Sequence, residues 1–264
     1  MIRGEPSDEG LQMIRLSLSD DTFARIEQLL PGRPGTVGRN SELGNRLFVE
    51  AIVWRFRTGV PWRDIPVHFG SWKNIHTRFS RWARKGVWKN LFKALADDPD
   101  NEYAMIDATI VRAHQHSAGA RKIANVDQAI GRSRGGLSTK IHMIVDALGN
   151  PLTFSLTGGQ VHDINQAQPL TAEVHPGAIL ADKGYDADSY IADLEARQIT
   201  PVIPPKANRK EKRPCDFALY RERNLVERFF QLIKQYRAIA TRYEKTARNF
   251  SAAIDLICAL AWLK

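Results

Sequence analysis

Apolar residues recur at helical spacing through the first third of the chain. Phe23, Ile26, Leu29 and Leu30 predict a first helix, opened by Asp20 and Asp21 as N-cap residues and closed by Pro31-Gly32. PGRPGTVGRN then reads as a loop. A second helix is expected from Ser41, carrying Leu43, Leu47, Val49, Ile52, Val53 and Phe56 to a stop at Thr58-Gly59. The stretch PWRDIPVHFGSWKNIHTRFSRWARKG predicts a short helix from Trp62 to His68, a turn at Phe69-Gly70 and a Ser71-capped helix from Trp72 to Arg84. That is a helix-turn-helix outline. Its second helix buries Trp72, Ile75, Phe79 and Trp82, and sets Lys73, Asn74, His76, Thr77, Arg78 and Arg81 on polar faces. A last helix, Val87 to Leu95, precedes the acidic linker ADDPDNE.

The periodicity changes at Tyr103. AMIDATIVRA reads as a strand, and TKIHMIVDALGNPLTFSLTG as two strands joined by a hairpin at Gly149-Asn150-Pro151. A helix from Asp163 to Glu173, the strand GAILAD, a helix from Ala187 to Arg197 and the strand TPVIP follow. After the basic loop PPKANRKEKRP come a long helix from Phe217 to Tyr236 and a closing helix from Ala247 to Leu263. The order β-β-β-α-β-α-β-α matches an RNase H-like α/β domain: a mixed five-stranded sheet with flanking helices, preceded by an all-α helix-turn-helix-like domain. The expected organisation is an N-terminal arm over 1–18, a helical domain over 19–98 and an α/β domain over 99–264.

Charge narrows the choice of partner. The net charge is +9 and the sequence pI ≈ 9.7. From Ile52 to Lys93 there are ten Lys/Arg against the single acid Asp64, and from Pro201 to Phe250 thirteen against five. Two basic blocks suit two surfaces for a phosphate backbone, because Lys and Arg neutralise phosphates and release counterions; a solvated, solubilising face is the plainer alternative. The basic face of the Trp72–Arg84 helix suits a DNA major groove, with an ordinary packing module as the other reading. Cys215 and Cys258 follow no metal-binding spacing and are expected to be reduced thiols. MIRGEPSDEGLQ has no signal-peptide pattern and no apolar run approaches membrane-spanning length, so a cytoplasmic protein is expected, with no membrane partner.

Three acids stand out. Asp107 and Asp182 each follow a short apolar run that reads as a strand, and Glu227 lies on the helix YRERNLVERFFQLIK. At about 100° per residue, Tyr220, Arg223, Glu227 and Lys234 fall within one narrow stripe, with Leu225, Phe229, Leu232 and Tyr236 on the opposite side facing the core. A lone Asp at a strand end is usually a turn cap, and a salt-bridged helix face would give a similar stripe. Carboxylates from neighbouring strands and a helix can instead close a two-metal site for phosphodiester chemistry, with Mg²⁺ the natural ion and Mn²⁺ a substitute. Arg223 and Lys234 would then bind phosphate and Tyr220 would stack or hydrogen-bond on the strand. The glycines of GRSRGG match no nucleotide-binding loop; with Arg132 and Arg134 they read as a mobile, backbone-gripping loop. His114 and His116 suit phosphate or base contact, or plain loop polarity. Asp163 is expected to cap its helix, and Asp146 to belong to the hairpin turn.

Together these segments resemble the DDE transposases of bacterial insertion sequences, the IS-five family. YRERNLVERFFQLIK reproduces the family's Y-x2-R-x3-E-x6-K signature in Tyr220, Arg223, Glu227 and Lys234. IDATIVRAHQHSAG and ILADKGYD look like its two acidic segments, and PWRDIPVHFGSWKNIHTRFSRW like its N-terminal helical module. The resemblance runs from about Leu18 to the C-terminus. It implies Asp107, Asp182 and Glu227 as the catalytic triad, recognition of terminal inverted repeats in double-stranded DNA, cleavage there, and strand transfer into target DNA. Paired ends imply a homodimer or higher oligomer in the DNA complex. A metal-dependent nuclease that cuts without joining, and a transposase-derived DNA-binding regulator, are the alternatives from other classes.

Overall fold

A computed structural model describes residues 18–32, 43–118 and 127–263. All of the expected arm over 1–18 except Leu18, the loop beyond Gly32 and the helix start at Ser41 lie outside the described residues. The helical region opens with α1 (Asp20–Glu27), whose cap is Ser19 rather than the aspartates: its Oγ accepts from Thr22 N–H. Helix α2 (Asn45–Thr58) ends at Gly59, whose φ of 76° is the left-handed conformation that favours glycine. The helix expected from Trp62 to His68 is instead two 3₁₀ turns, Trp62–Asp64 and Val67–Phe69. Pro66 divides them, since its ring and missing N–H cannot continue a helix. Helices α3 (Trp72–Arg84) and α4 (Val87–Leu95) keep the expected limits.

The α/β region begins with β1 (Ala104–Ala113), followed by the short helix α5 (Gln115–Ala118). GRSRGG is not a free loop. Gly131–Ser133 forms β2, a hairpin with β3 (Gly136–Asp146), and exposed Arg132 and Arg134 lie at its tip. Strand β4 (Pro151–Gly158) pairs with β3 across a turn fastened by buried Asp146, which accepts from the backbone N–H groups of Leu148 and Asn150. Next come α6 (Ile164–Thr171), β5 (Ala178–Leu180), α7 (Asp188–Ala196) and β6 (Thr200–Val202). The expected long helix is broken: α8 (Phe217–Tyr220) passes through a 3₁₀ turn at Arg221–Arg223 into α9 (Asn224–Lys234). Helix α10 (Arg237–Ala240), strand β7 (Thr241–Arg242) and helix α11 (Ala247–Ala261) complete the chain.

Five strands run in the order β4-β3-β1-β5-β6, antiparallel across β4, β3 and β1 and parallel from β1 through β5 to β6. Three antiparallel strands followed by parallel α/β units is the expected RNase H-like arrangement. Two short additions, β2 on β3 and β7 on β1, bring the sheet to seven strands. Alternation along β1 sorts the core into two. Ala104 and Ile106 pack with residues of α6 and α7, such as Leu170 and Leu194. Met105 and Val111 face the other way, towards Ile233 of α9 and Leu256 of α11, in a cluster that runs on without a break into Phe48, Phe79 and Trp88 of the helical region. The helical region therefore shares its core with one face of the sheet.

Candidate active site

The parallel register sets the two aspartates side by side. Met105 pairs with Leu180; carried two residues past the end of that pairing, the register brings Asp107 and Asp182 together, near enough for the charge of Asp182 to act on Asp107. Strand β5 stops at Leu180 because Asp182 turns the chain, its Oδ1 accepting from Gly184 N–H at 2.7 Å. A Cβ on Gly184 would meet that oxygen at 2.8 Å, so a larger residue there would shift the Asp182 carboxylate.

Helix α9 lies across this face. Its fully buried residues are Val226, Phe229, Phe230 and Ile233, while Leu225, Leu232 and Tyr236 are half-buried. The seam is thus rotated about a quarter turn from the sequence expectation, towards the side carrying Arg223 and Lys234. Both cations are consequently drawn down onto the sheet, and Glu227 stays at the rim, 52% exposed. Arg223 donates to Asp107 Oδ2 at 2.8 Å and to Glu227 Oε1 at 2.5 Å. Lys234 Nζ donates to Thr109 Oγ1 at 2.6 Å. Tyr220 lies under the Arg223 guanidinium, 5.8 Å from carbon to ring centre. Thr109, which sequence reading passed over, sits two residues after Asp107 on the same strand face; strand alternation alone would have found it.

Burial pushes the Asp107 carboxyl above its usual range. The Ala108 N–H and the Arg223 guanidinium pull it down, and the neighbouring negative charge of Asp182 pushes it up again. Two acids that sense each other, one partly desolvated, are a high-energy arrangement that a cation relieves. An all-carboxylate donor set suits a hard divalent ion, and Arg223 supplies positive charge between Asp107 and Glu227. As the side chains stand, no three His, Cys, Asp or Glu among the described residues are close enough to hold a metal. The donors fit in kind, and as they stand Arg223 bridges Asp107 and Glu227.

The other predicted contact residues divide. Lys73, Asn74, Thr77 and Arg81 are exposed on α3. Arg78 is not available: it is 8% exposed, donates to Leu43 C=O and Asn45 Oδ1, and lies over the rings of Phe48 and Trp82. Its place on the helix next to Phe79 and Trp82 makes it a brace of the helical core. Asp163 makes no cap bond; its Oδ1 lies 2.8 Å from Lys140 Nζ and 3.7 Å from His142 Nδ1. His142 is fully buried, and burial lowers its pKa to about 4, so it is neutral at pH 7.

Residues 99–262 match the family model described as a transposase DDE domain, and residues 18–92 the model described as a putative transposase of IS4/5 family. The chain belongs to the DDE transposase family. Its sequence is 38% identical over 130 residues to the putative transposase for insertion sequence element IS6501 of Brucella ovis, covering 48% of this chain and 100% of that protein. It is 45% identical over 106 residues to uncharacterized protein y4sN of Sinorhizobium fredii, covering 40% of this chain and 83% of that one. Among solved structures it is similar to the piggyBac transposase of a synaptic complex with hairpin DNA, with a TM-score of 0.41 and 13% identity, over 73% of this chain and 48% of that chain. DDE transposases depend on divalent metal for their chemistry. No described helix of this transposase is long and apolar enough to cross a membrane.

Proposed function

We propose that this transposase binds the terminal inverted repeats of an insertion sequence, cleaves there, and joins the freed 3′-hydroxyl to target DNA. The observation that carries this reading is the side-by-side placement of Asp107 and Asp182 under a helix bearing Arg223 and Glu227. Asp107, Asp182 and Glu227 would hold two Mg²⁺ ions, or Mn²⁺ in their place. Those ions would activate first water and then the 3′-hydroxyl, and neutralise charge on the phosphate in flight. Arg223 braces Asp107 and Glu227 while DNA is absent, then turns its planar fork to the phosphate beside the scissile bond. Lys234, steadied by Thr109, meets the same strand as a point charge. Tyr220 stacks against the strand. Exposed Lys73, Asn74, Thr77 and Arg81 contact the inverted repeat, and Arg132 and Arg134 grip backbone from the β2–β3 hairpin.

The helical region 19–98 acts as the DNA-reading unit and 99–264 as the catalytic unit. Two element ends require two copies, so the active assembly is a dimer or larger, working on DNA in the bacterial cytoplasm. The test is a strand-transfer assay with purified protein, labelled element-end duplex, plasmid target and Mg²⁺, beside Asp182→Asn. Joined product from the wild type and none from the variant is the expected result. Cleavage without joining would make the protein a nuclease; binding with no chemistry in either would make it a regulator.

A further inference from the structure

A second concavity lies at the opposite end of β1 from Asp107. It has a volume of about 1010 Å³ and opens between the helical region and the segments that follow β1 and β7. His114 lies seven positions after Asp107, about 23 Å of extended chain, so this is a separate place from the acids.

Aromatic rings form both walls. On one side His116, His114 and Tyr243 make a ladder, with ring centres 4.6 and 4.9 Å apart. On the other stand Trp62, with His76 edge-on at 4.9 Å, and Trp72. Tyr243 is 37% exposed although it is a large ring, with the His114 ring against one of its faces. Charge is sorted by depth. The two inner charges cancel: Arg55, whose guanidinium lies over the Trp62 ring at 4.6 Å, forms an ion pair with Glu244 at 3.1 Å, and Trp62 Nε1 donates to the same carboxylate at 3.2 Å. Among the described residues that line it, the cations outside any ion pair are Arg63 and Lys245, both exposed.

That division selects a ligand. A phosphate deep inside would face Glu244; a flat, uncharged ring system would slide between aromatic walls. An anionic backbone would then rest on Arg63 and Lys245 at the mouth. We infer that the cleft walled by Trp62, Trp72 and Tyr243 binds an unpaired nucleobase of the DNA strand, several nucleotides from the bond being cut. The inference rests on DNA being the substrate, and it assigns to the helical region and the β7–α11 segment a joint role in holding locally opened DNA. Extruding a base from the stack costs a few kcal/mol, which stacking on such rings offsets.

The experiment uses the whole protein and three probes: a short single strand carrying one fluorescent aminopurine, the same strand with an abasic residue at that position, and the free deoxynucleotide. The base-bearing strand is expected to bind about tenfold tighter than the abasic strand, with its fluorescence quenched by stacking. Tyr243→Ala removes a half-exposed ring and should abolish that gap. Lys245→Ala should weaken both strands alike. Trp72→Ala, on the opposite wall, provides a second check should Tyr243→Ala fold poorly. Asp107→Asn should keep the gap, so loss of chemistry and loss of the base site are read separately. Equal binding of base-bearing and abasic strands by the wild type would overturn the inference. So would a gap that survives Tyr243→Ala in folded protein, or free deoxynucleotide binding as tightly as the strand.

Discussion

Asp182 and Asp186 stand four residues apart in one turn, yet they are provided for in opposite ways. Asp186 is 2% exposed and its oxygens accept from Lys206 N–H at 2.8 Å, Arg209 Nε at 2.5 Å and Arg213 Nη1 at 2.8 Å. Asp182 is half-buried, and among the described residues its one hydrogen bond is the local one from Gly184. A carboxylate that holds a fold together is saturated with donors, as Asp186 and Asp146 are. A carboxylate meant for an incoming cation keeps lone pairs free. On the proposed reading Asp182 and Glu227 both fall in the second class, and the contrast breaks if either proves to matter more for folding than for chemistry. Glu227→Gln is therefore expected to lower strand transfer by a factor of about a thousand or more. Its melting temperature should move by less than about 2 °C, because an exposed ion pair contributes only about 0–1 kcal/mol. Parallel activity and melting measurements check this.

The converse holds for Asp186→Asn. Removing the charge leaves Arg209 and Arg213, which strap the basic segment after β6 onto this turn, without their buried partner. A loss of about 2–3 kcal/mol is expected, or roughly 4–10 °C in melting temperature for a protein of this size. Burial alone would raise the Asp186 pKa. The Arg209 hydrogen bond, the Lys206 amide and the two arginine charges outweigh it and hold the carboxyl below its usual range. A carboxylate with a depressed folded pKa stabilises above its unfolded value of about 3.9, and that stability is lost as pH falls through the folded value. The difference in melting temperature between wild type and Asp186→Asn should thus persist at neutral pH and shrink below about pH 4.

Periodicity made most of this fold legible. The ten residues of β1 and the limits of α3 and α4 follow directly from alternation and capping. Elements missed from sequence are those set by tertiary contacts. Strand β7 is two residues long and exists because Arg112 and Ala113 offer it an edge. Strand β2 hides in a glycine-rich run whose local preferences suggest a loop. In the candidate site, Asp107, Arg223 and Glu227 could be expected to meet, as they do, but their orientation could not be read. An ideal helix placed Glu227 opposite the core; the 3₁₀ turn at Arg221–Arg223 and the rotated seam instead put it at the rim and Arg223 between two acids. The strap on Asp186 was invisible because its partners lie twenty or more residues away.

The same contrast between saturated and free groups separates two arginines on α3, and here the expected effects are smaller. Arg78 is braced by Leu43 C=O, Asn45 and two aromatic rings, so Arg78→Leu should cost about 1–3 kcal/mol of stability. That loss would appear in melting, with no change in the salt dependence of DNA binding beyond what misfolded protein explains. Arg81 is exposed and carries neither an ion pair nor a cation–ring contact among the described residues. Arg81→Ala should leave melting within about 1 °C, since surface changes away from such features stay within about 0.5 kcal/mol. If Arg81 meets a phosphate, the slope of log binding constant against log salt should become shallower by about 1. If it meets a base edge, the slope should hold while preference among inverted-repeat variants relaxes at one position. Binding isotherms over a salt series, on the element end and on an unrelated duplex, separate the two. A variant that changes neither would remove Arg81 from the DNA face of α3.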